Sequence, residues 1–424
     1  MAKAIEGRYE MVYVQDIDGK PLMPTERYGK VAYLLNRGKA TVVCRCPFTI
    51  RLAYATTRHV QMVTLGVDAG SRHIGLSATT EKKELYAAQC DVRTDVTELL
   101  ATRRELRSAR RNRDLRHRPA RFGNRRKSEG WLAPSVRCKV EEHLRIIEKV
   151  NRILPISKTV VEVAQFDTQR MKDGEIEGDL YQQGEQLGFW NVREYVLARD
   201  GHVCQHCHGK SKDKVLNVHH LESRKTGGNA PNNLITLCET CHRAYHRGEF
   251  ELKVKRGTSL RDAACMNIMR WAVYNALKAR YANVHLTYGY KTKHTRIESG
   301  IAKTHAADAY CVSGNVYARR SVEFFRHRFV RRHNRQIHKL TILKGGIRKA
   351  NQAARFVKGF QLFDKVRYQG RTCFVAGRRT SGSMYLRDFD GNTVNAGAGW
   401  KRIALVSRTG TLLTERMSCD SSKR

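Results

Sequence analysis

No run of about 18 apolar residues, the least that would make a membrane-spanning helix, occurs anywhere in this chain. A membrane span is therefore not expected. The N-terminus lacks the charged, apolar and small-residue succession of a secretory signal, which places the expectation inside the cell. There are 12 cysteines but no disulfide-like framework outside one segment, as suits a reducing cytosol. Acidic residues are scarce: 40 Asp and Glu stand against 79 Lys and Arg, a formal charge of +39. Self-repulsion at that charge calls for a polyanion to neutralise it. A merely soluble basic protein would spread its charge, whereas here the bases are clustered. What remains is ample for folding. The hydrophobic content of 41% over 424 residues supports real cores, and the length suggests roughly two to four domains.

Residues 202–246 hold the most specific pattern. Cys204 and Cys207 form one C-x-x-C, and Cys238 and Cys241 form a second. Two such knuckles pinching a loop supply four thiolates for a tetrahedral, structural Zn²⁺. A bare zinc finger would leave the surrounding residues unexplained: His219 and His220 inside the loop, Asn233, and His242 with His246 spaced i, i+4. A metal-held ββ-loop-α unit carrying His, Asn and His resembles an HNH nuclease.

Three carboxylates stand at informative places. Asp68 ends the strand of L-G-V-D-A-G, Glu162 interrupts the apolar strand K-T-V-V-E-V-A, and Asp308 lies near the start of a helix in H-A-A-D-A. Burying an unpaired carboxylate is costly, so Glu162 either pairs with a buried base or binds a metal. His305 lies one helical turn before Asp308, open to a general-base, metal-partner, capping or core role.

Between these motifs the chain changes texture. A strand, a short helix with Val31, Leu34 and Leu35 on one face and a stop at Gly38, and two further strands precede residue 57. Residues 63–90 read as three strands. From residue 94 a helix begins with Arg103, Arg104, Arg107, Arg110, Arg111 and Arg113, interrupted by only Glu105 and Asp114. A solvated helix would interleave acids at i+4; one this basic all round suits nucleic-acid backbone. Residues 135–153 form an amphipathic helix through Val140, Leu144, Ile147 and Ile153, and residues 260–281 a strongly apolar one through Ile268, Met269, Trp271, Ala272 and Leu277. Residues 356–406 carry hairpin punctuation at Gly370, Gly377, Gly382 and Asp390-Gly391, which predicts a small β-barrel.

The ordered carboxylate motifs, the HNH segment between the second and third of them, the arginine run and the P-L-M-P segment at 21–24 together resemble the transposon-encoded IscB family. These are compact relatives of the CRISPR type II effector nucleases. The resemblance runs to about residue 340. It departs at Ala69, where a proline is usual, and at His219, where several such nucleases place aspartate. It implies an α/β fold in which an RNase H-like (RuvC) core is split by an arginine-rich bridge helix and a zinc-bound HNH ββα domain, ahead of the small C-terminal β-barrel. The implied partition is an N-terminal PLMP-type unit at 1–57, RuvC parts at 58–92, 131–168 and 256–320, the bridge helix at 93–130, HNH at 169–255, a basic linker at 321–355, a barrel reading a target-adjacent motif at 356–410, and a disordered tail at 411–424.

It implies an RNA-guided DNA endonuclease. Asp68, Glu162 and Asp308 would hold two Mg²⁺, His220 would be the HNH general base with Asn233 orienting it or touching metal, and His219, His242 and His246 would hold one Mg²⁺. The arginines of the bridge helix would clamp a structured noncoding guide RNA, and a double-stranded DNA target would complete a monomeric ribonucleoprotein on the prokaryotic nucleoid. The competing readings are a protein-only HNH endonuclease of the homing or restriction kind, and a binding-only regulator with dead nuclease sites.

Overall fold

A computed structural model describes residues 11–111, 130–163, 186, 188–222, 229–252, 254, 261–331, 341–342, 344–345, 348–349 and 354–418. The chain divides into two compact units, one of residues 1–97, 120–164 and 266–424, the other of residues 98–119 and 165–265. Among the described residues no helix is long and apolar enough to cross a membrane.

The first unit begins with β1 (Tyr13–Gln15), α1 (Tyr28–Asn36), β2 (Ala40–Arg45) and β3 (Phe48–Leu52). β3 lies between the other two strands, parallel to β1 and antiparallel to β2. Val31 and Leu34 of α1 pack on Val12, Val14, Ile50 and Leu52, the apolar face that the helix period requires.

Next come β4 (Thr64–Ala69), β5 (His73–Thr79) and β6 (Glu84–Asp91), an antiparallel meander. The chain then enters the arginine-rich α2 (Val96–Arg111), which from residue 98 belongs to the second unit, and returns to the first with α3 (Pro134–Asn151) and β7 (Lys158–Val163). Proline fits the first turn of α3, where its missing N–H has no partner to lose. Val140, Leu144 and Ile147 are buried on that helix, and Ile153 is buried just beyond it.

The second unit carries α4 (Val192–Arg199), β8 (Leu216–His220), β9 (Leu234–Cys238) and α5 (Glu239–His246). β8 and β9 pair antiparallel, with His219 opposite Ile235 and His220 opposite Leu234. Cys204, Ile235, Leu237, Cys238 and Cys241 form its small core.

The chain then runs through α6 (Arg261–Lys278), β10 (Val284–Tyr288), α7 (Gly289–Glu298), α8 (His305–Ser313) and β11 (Glu323–Phe329). After the short pair β12 (Thr341–Ile342) and β13 (Arg348–Lys349) come β14 (Lys365–Tyr368), β15 (Arg371–Arg378), β16 (Ser383–Arg387), β17 (Thr393–Gly399), β18 (Ile403–Ser407) and β19 (Leu412–Ser418).

Seven strands form the main sheet of the first unit in the order β10-β7-β4-β5-β6-β11-β19. β7 is parallel to β4, β10 to β7 and β11 to β6, while β19 runs antiparallel to β11. Leu65, Val67, Ile74, Leu76 and Val161 are fully buried within it.

Three expectations are corrected here. The basic stretch 321–355 is not all linker, because β11 inserts into the main sheet. Its alternation of Phe325, His327 and Phe329 inward with Arg326 and Arg328 between them is hidden in sequence by the arginine density. Residues 412–418 of the expected disordered tail form β19, which covers that sheet's edge and buries Leu413 and Thr414. On α6, Met269 and Leu277 are fully buried but Ile268 is 52% exposed, so the apolar helix has a solvent face.

The hairpin region is a five-stranded antiparallel sheet in the order β17-β16-β15-β14-β18 around Val366, Val375, Met384 and Leu386. Among the described residues no pairing of β17 with β18 closes it into a barrel.

Candidate functional site

Two constellations of functional side chains are built, one in each unit. In the second unit, β8, β9 and α5 form the ββα element, and Cys204, Cys207, Cys238 and Cys241 gather with their sulfurs within 4.8 Å of one another. Burial pushes the Cys207 thiol up, but hydrogen bonding with Ser211 and the sibling cysteines outweighs it and brings the group down to about 6. Four convergent sulfurs of this kind fit a tetrahedral Zn²⁺.

His219, His242 and His246 form a second donor group within 4.8 Å. The i, i+4 spacing puts His242 and His246 on one face of α5, with their Nε2 atoms 3.3 Å apart. The His219 ring lies 5.2 Å from each of theirs and 4.5 Å from the Tyr245 ring. Burial, reinforced by the two helix imidazoles and His220, lowers His219 to about 4. Its Nε2 is buried with no hydrogen-bond partner. An orphaned imidazole nitrogen facing two more imidazoles fits a divalent metal.

The donor chemistry revises the ion, however. Mg²⁺ takes oxygen ligands, whereas three imidazoles suit Zn²⁺, Ni²⁺ or Cu²⁺.

His220 is half-exposed and stands apart from this group, with Nε2 3.0 Å from Asn229 Oδ1. Successive residues of a strand face opposite ways, which separates it from His219. Asn233 is fully buried. Its amide accepts from the Glu222 N–H at 2.9 Å and donates to the Glu222 carbonyl at 3.1 Å. It thereby staples the loop that leaves His220, and it is not one of the gathered metal donors.

In the first unit, Val67 of β4 pairs with Val161 of β7. One step further along these parallel strands come Asp68 and Glu162, side by side. α8 lies across β4 and β5 and brings His305 and Asp308 to them. Thr304 caps that helix, its side chain accepting from the Ala307 N–H at 3.0 Å.

Two glycines make the approach possible. A Cβ on Gly66 would lie 2.0 Å from the Ala309 carbonyl oxygen, and one on Gly75, which pairs with Asp68, 1.8 Å from that of His305.

His305 Nδ1 lies 2.7 Å from Asp68 Oδ2. That hydrogen bond raises the imidazole pKa against the opposing effect of burial. Burial and the Asp68 charge raise both Glu162 and Asp308.

Two cations that the sequence reading missed answer this negative charge. Buried Arg270 of α6 reaches Glu162 at 3.2 Å and Asp68 at 3.8 Å, and donates from Nε to the Ala69 carbonyl at 2.9 Å. Arg296 of α7 lies 3.0 Å from Asp308. The one signal for Arg270 was an arginine in an otherwise apolar helix, whereas Arg296, in the polar α7, gave none. By donor type the carboxylates fit a hard divalent cation. They are not among the donor groups gathered within 4.8 Å, and Arg270 bridges two of them.

Arg103, Arg104 and Arg107 are exposed on α2. Arg110 and Arg111 complete its last turn, and Arg113 lies outside the described residues.

A family model described as RRXRR protein matches residues 12–184, and one described as HNH endonuclease matches residues 204–248. Anaredoxin of Nostoc sp. is 44% identical over 41 residues, 9% of this chain and 54% of that protein. The chain thus spans about half the length of that curated relative. Among solved structures, Streptococcus thermophilus Cas9 with the GGAA PAM aligns over 52% of this chain and 32% of that one, at 15% identity and a TM-score of 0.33. The same enzyme with the AGAA PAM aligns over 43% and 26%, at 14% and 0.29. The type II-C Cas9 of Actinomyces naeslundii aligns over 60% of each chain, at 12% and 0.23. At these scores the superpositions carry no structural argument. The sequence match is the firmer finding: residues 204–248 of the chain carry an HNH endonuclease domain.

Proposed function

We propose that this chain is an RNA-guided DNA endonuclease of the IscB kind, with two cutting centres. The observation that carries the reading is the second centre. Three carboxylates from residues 68, 162 and 308 share one corner of the main sheet, where two of them are driven toward protonation by burial and by the first. An antiparallel meander β4-β5-β6 flanked by parallel β7 and β10 supports the RNase H-like core that the resemblance implies.

In the HNH unit, His220 acts as general base on the attacking water, and Asn233 holds the segment after it in place. His219, His242 and His246 would hold one divalent ion of the imidazole-preferring kind, which would stabilise charge on the phosphate oxygens. At the second centre Asp68, Glu162 and Asp308 would hold Mg²⁺, with His305 oriented by Asp68. Cation entry there requires Arg270 to release Glu162. The exposed arginines of α2 clamp the guide RNA, and duplex DNA is the target.

The test is a strand-labelled duplex cut by full-length protein carrying its copurified RNA. His220→Ala should nick only the displaced strand and Asp68→Ala only the guide-paired strand. Double-strand breaks at the wild-type rate from either variant would overturn the assignment. Specific cutting by RNA-free protein would instead favour a protein-only HNH endonuclease.

A further inference from the structure

A groove of about 450 Å³ opens beside the carboxylate centre. Its wall is a row across three neighbouring strands, since His73 of β5 pairs with Asp91 of β6, and Asp91 with Arg328 of β11. Four arginines line it: Arg72, Arg93, Arg328 and Arg331. Two of them are already matched. Arg93 grips Asp95 through two nitrogens at 2.9 and 3.1 Å. Arg328 meets Asp91 at 3.2 and 3.3 Å and donates to the Phe389 carbonyl at 2.8 Å. Arg72, which is exposed, and Arg331 have no carboxylate partner among the described residues. The groove therefore presents two spare guanidinium groups over a wall whose own charges are balanced.

The groove also connects to the centre. The His73 ring lies over that of His305, with centroids 5.2 Å apart and planes tilted by 32°. His73 Nδ1 is held by Asp91 at 2.8 Å, and His305 Nδ1 by Asp68 at 2.7 Å. The contact of His73 with His305 thus links the groove wall to Asp68.

We infer that this groove binds the phosphodiester backbone of the single DNA strand being cut at the carboxylate centre, with Arg72 and Arg331 each engaging a phosphate. The inference rests on the reading of Asp68, Glu162 and Asp308 as a cutting centre. Guanidinium suits the ligand because its planar fork meets two phosphate oxygens at once. Arg72 and Arg331 are positioning residues: they place the strand and do not touch the reacting atoms.

The first experiment needs no catalysis. Full-length Asp68→Ala protein is photo-crosslinked to a single-stranded DNA 20-mer carrying the reactive group on a backbone phosphate, and labelled peptides are mapped. Labelling of the segments around residues 72, 93 and 331 is expected. Arg72→Ala with Arg331→Ala should lower that labelling about tenfold, and the log–log salt slope of binding should fall by roughly 0.7 for each phosphate no longer neutralised. A 20-mer with neutral methylphosphonate linkages should escape labelling in the same way, and Arg72→Lys with Arg331→Lys should restore part of it. Undiminished labelling of the double variant, or of the neutral oligomer, overturns the inference. So does preferential labelling by an RNA 20-mer of the same sequence, which would make the groove a guide-RNA contact.

The second experiment uses Asp68-intact protein cutting single-stranded DNA. The arginine pair should raise KM about tenfold with kcat nearly unchanged, and a melting curve checks that the variant is folded. Unchanged KM overturns the groove. In a His220→Ala background, which silences the other centre, cutting that survives Asp68→Ala overturns the carboxylate centre instead, with the crosslinking result left standing.

Discussion

His219 and His220 are neighbours in β8, and the alternation of a strand gives them different surroundings. His219 is buried against two imidazoles with an orphaned nitrogen, whereas His220 is half-exposed. A divalent ion that binds the folded domain stabilises it by an amount that grows with the logarithm of its concentration over Kd. Melting of full-length protein should therefore rise with Ni²⁺ or Zn²⁺ more than with equal Mg²⁺, and His219→Ala should remove most of the Ni²⁺ response. An equal response of both proteins to Ni²⁺ would refute the three-histidine site.

A second residue-scale effect concerns acid. His143 is wholly buried, with Nδ1 donating to the Lys139 carbonyl at 2.7 Å. Burial lowers it to about 4. His327, between the Tyr86 hydroxyl and Thr414, is likewise lowered. A histidine kept neutral when folded gains its proton only in the unfolded chain. Its favourable contribution is thus intact above the unfolded value near 6.5 and lost as pH falls toward 4. For His143 alone that loss is on the order of 3 kcal/mol. Melting temperatures should drop steadily below pH 6.5, and His143→Gln should make the drop shallower by about one proton. A pH slope unchanged in that variant would argue against a neutral buried His143.

Elements matter here mostly through how closely they approach. α8 can carry His305 and Asp308 to Asp68 because Gly66 and Gly75 leave no Cβ beneath it. The clash from Gly75→Ala would be with helix backbone, which cannot swing aside. That variant should lose cutting at the carboxylate centre and destabilise the unit by about 1–3 kcal/mol, the usual range for overpacking. Cleavage of the displaced strand at the wild-type rate would show that the helix tolerates displacement.

The zinc knuckles make a second case. A Cys₄ site contributes on the order of 10–16 kcal/mol of apparent binding free energy. Cys238→Ser should unfold the ββα unit while nicking through Asp68 survives, and metal analysis of well-folded wild-type protein should find zinc. α2 makes a third, since its described side chains from Thr102 to Ala109 are all exposed. Replacing Arg103, Arg104, Arg107 and Arg111 by Ala should weaken RNA binding and lower its salt slope by roughly 0.7 for each phosphate left without its guanidinium. His220→Ala should leave both unchanged. A filter-binding salt titration separates the two, and equal slopes for the quadruple variant and wild type would sink the clamp.

At the scale of the whole molecule, a net charge of +39 calls for a polyanion, and RNA that copurifies should be a defined species rather than a smear. The sequence alone determined the features that covalent spacing controls. C-x-x-C offers both thiols from one turn, and i, i+4 histidines share a helix face, so the zinc knuckles and the His242–His246 pair were legible without a fold. The strand and helix settings of Asp68, Glu162 and Asp308 were legible too, because hydrophobic periodicity sets them. Other features could not be read from any local pattern. Arg270 lies in an apolar helix more than a hundred residues from Glu162, and nothing near it in sequence announces the ion pair. The alternation in β11 was hidden by its arginines, and β19 has a place only because a sheet edge awaits it. The bridging of Asp68 and Glu162 by Arg270, and the groove beside His73, exist only once distant segments pack. Spacing along the chain fixes which groups can share a turn or a face; packing alone fixes which charges meet.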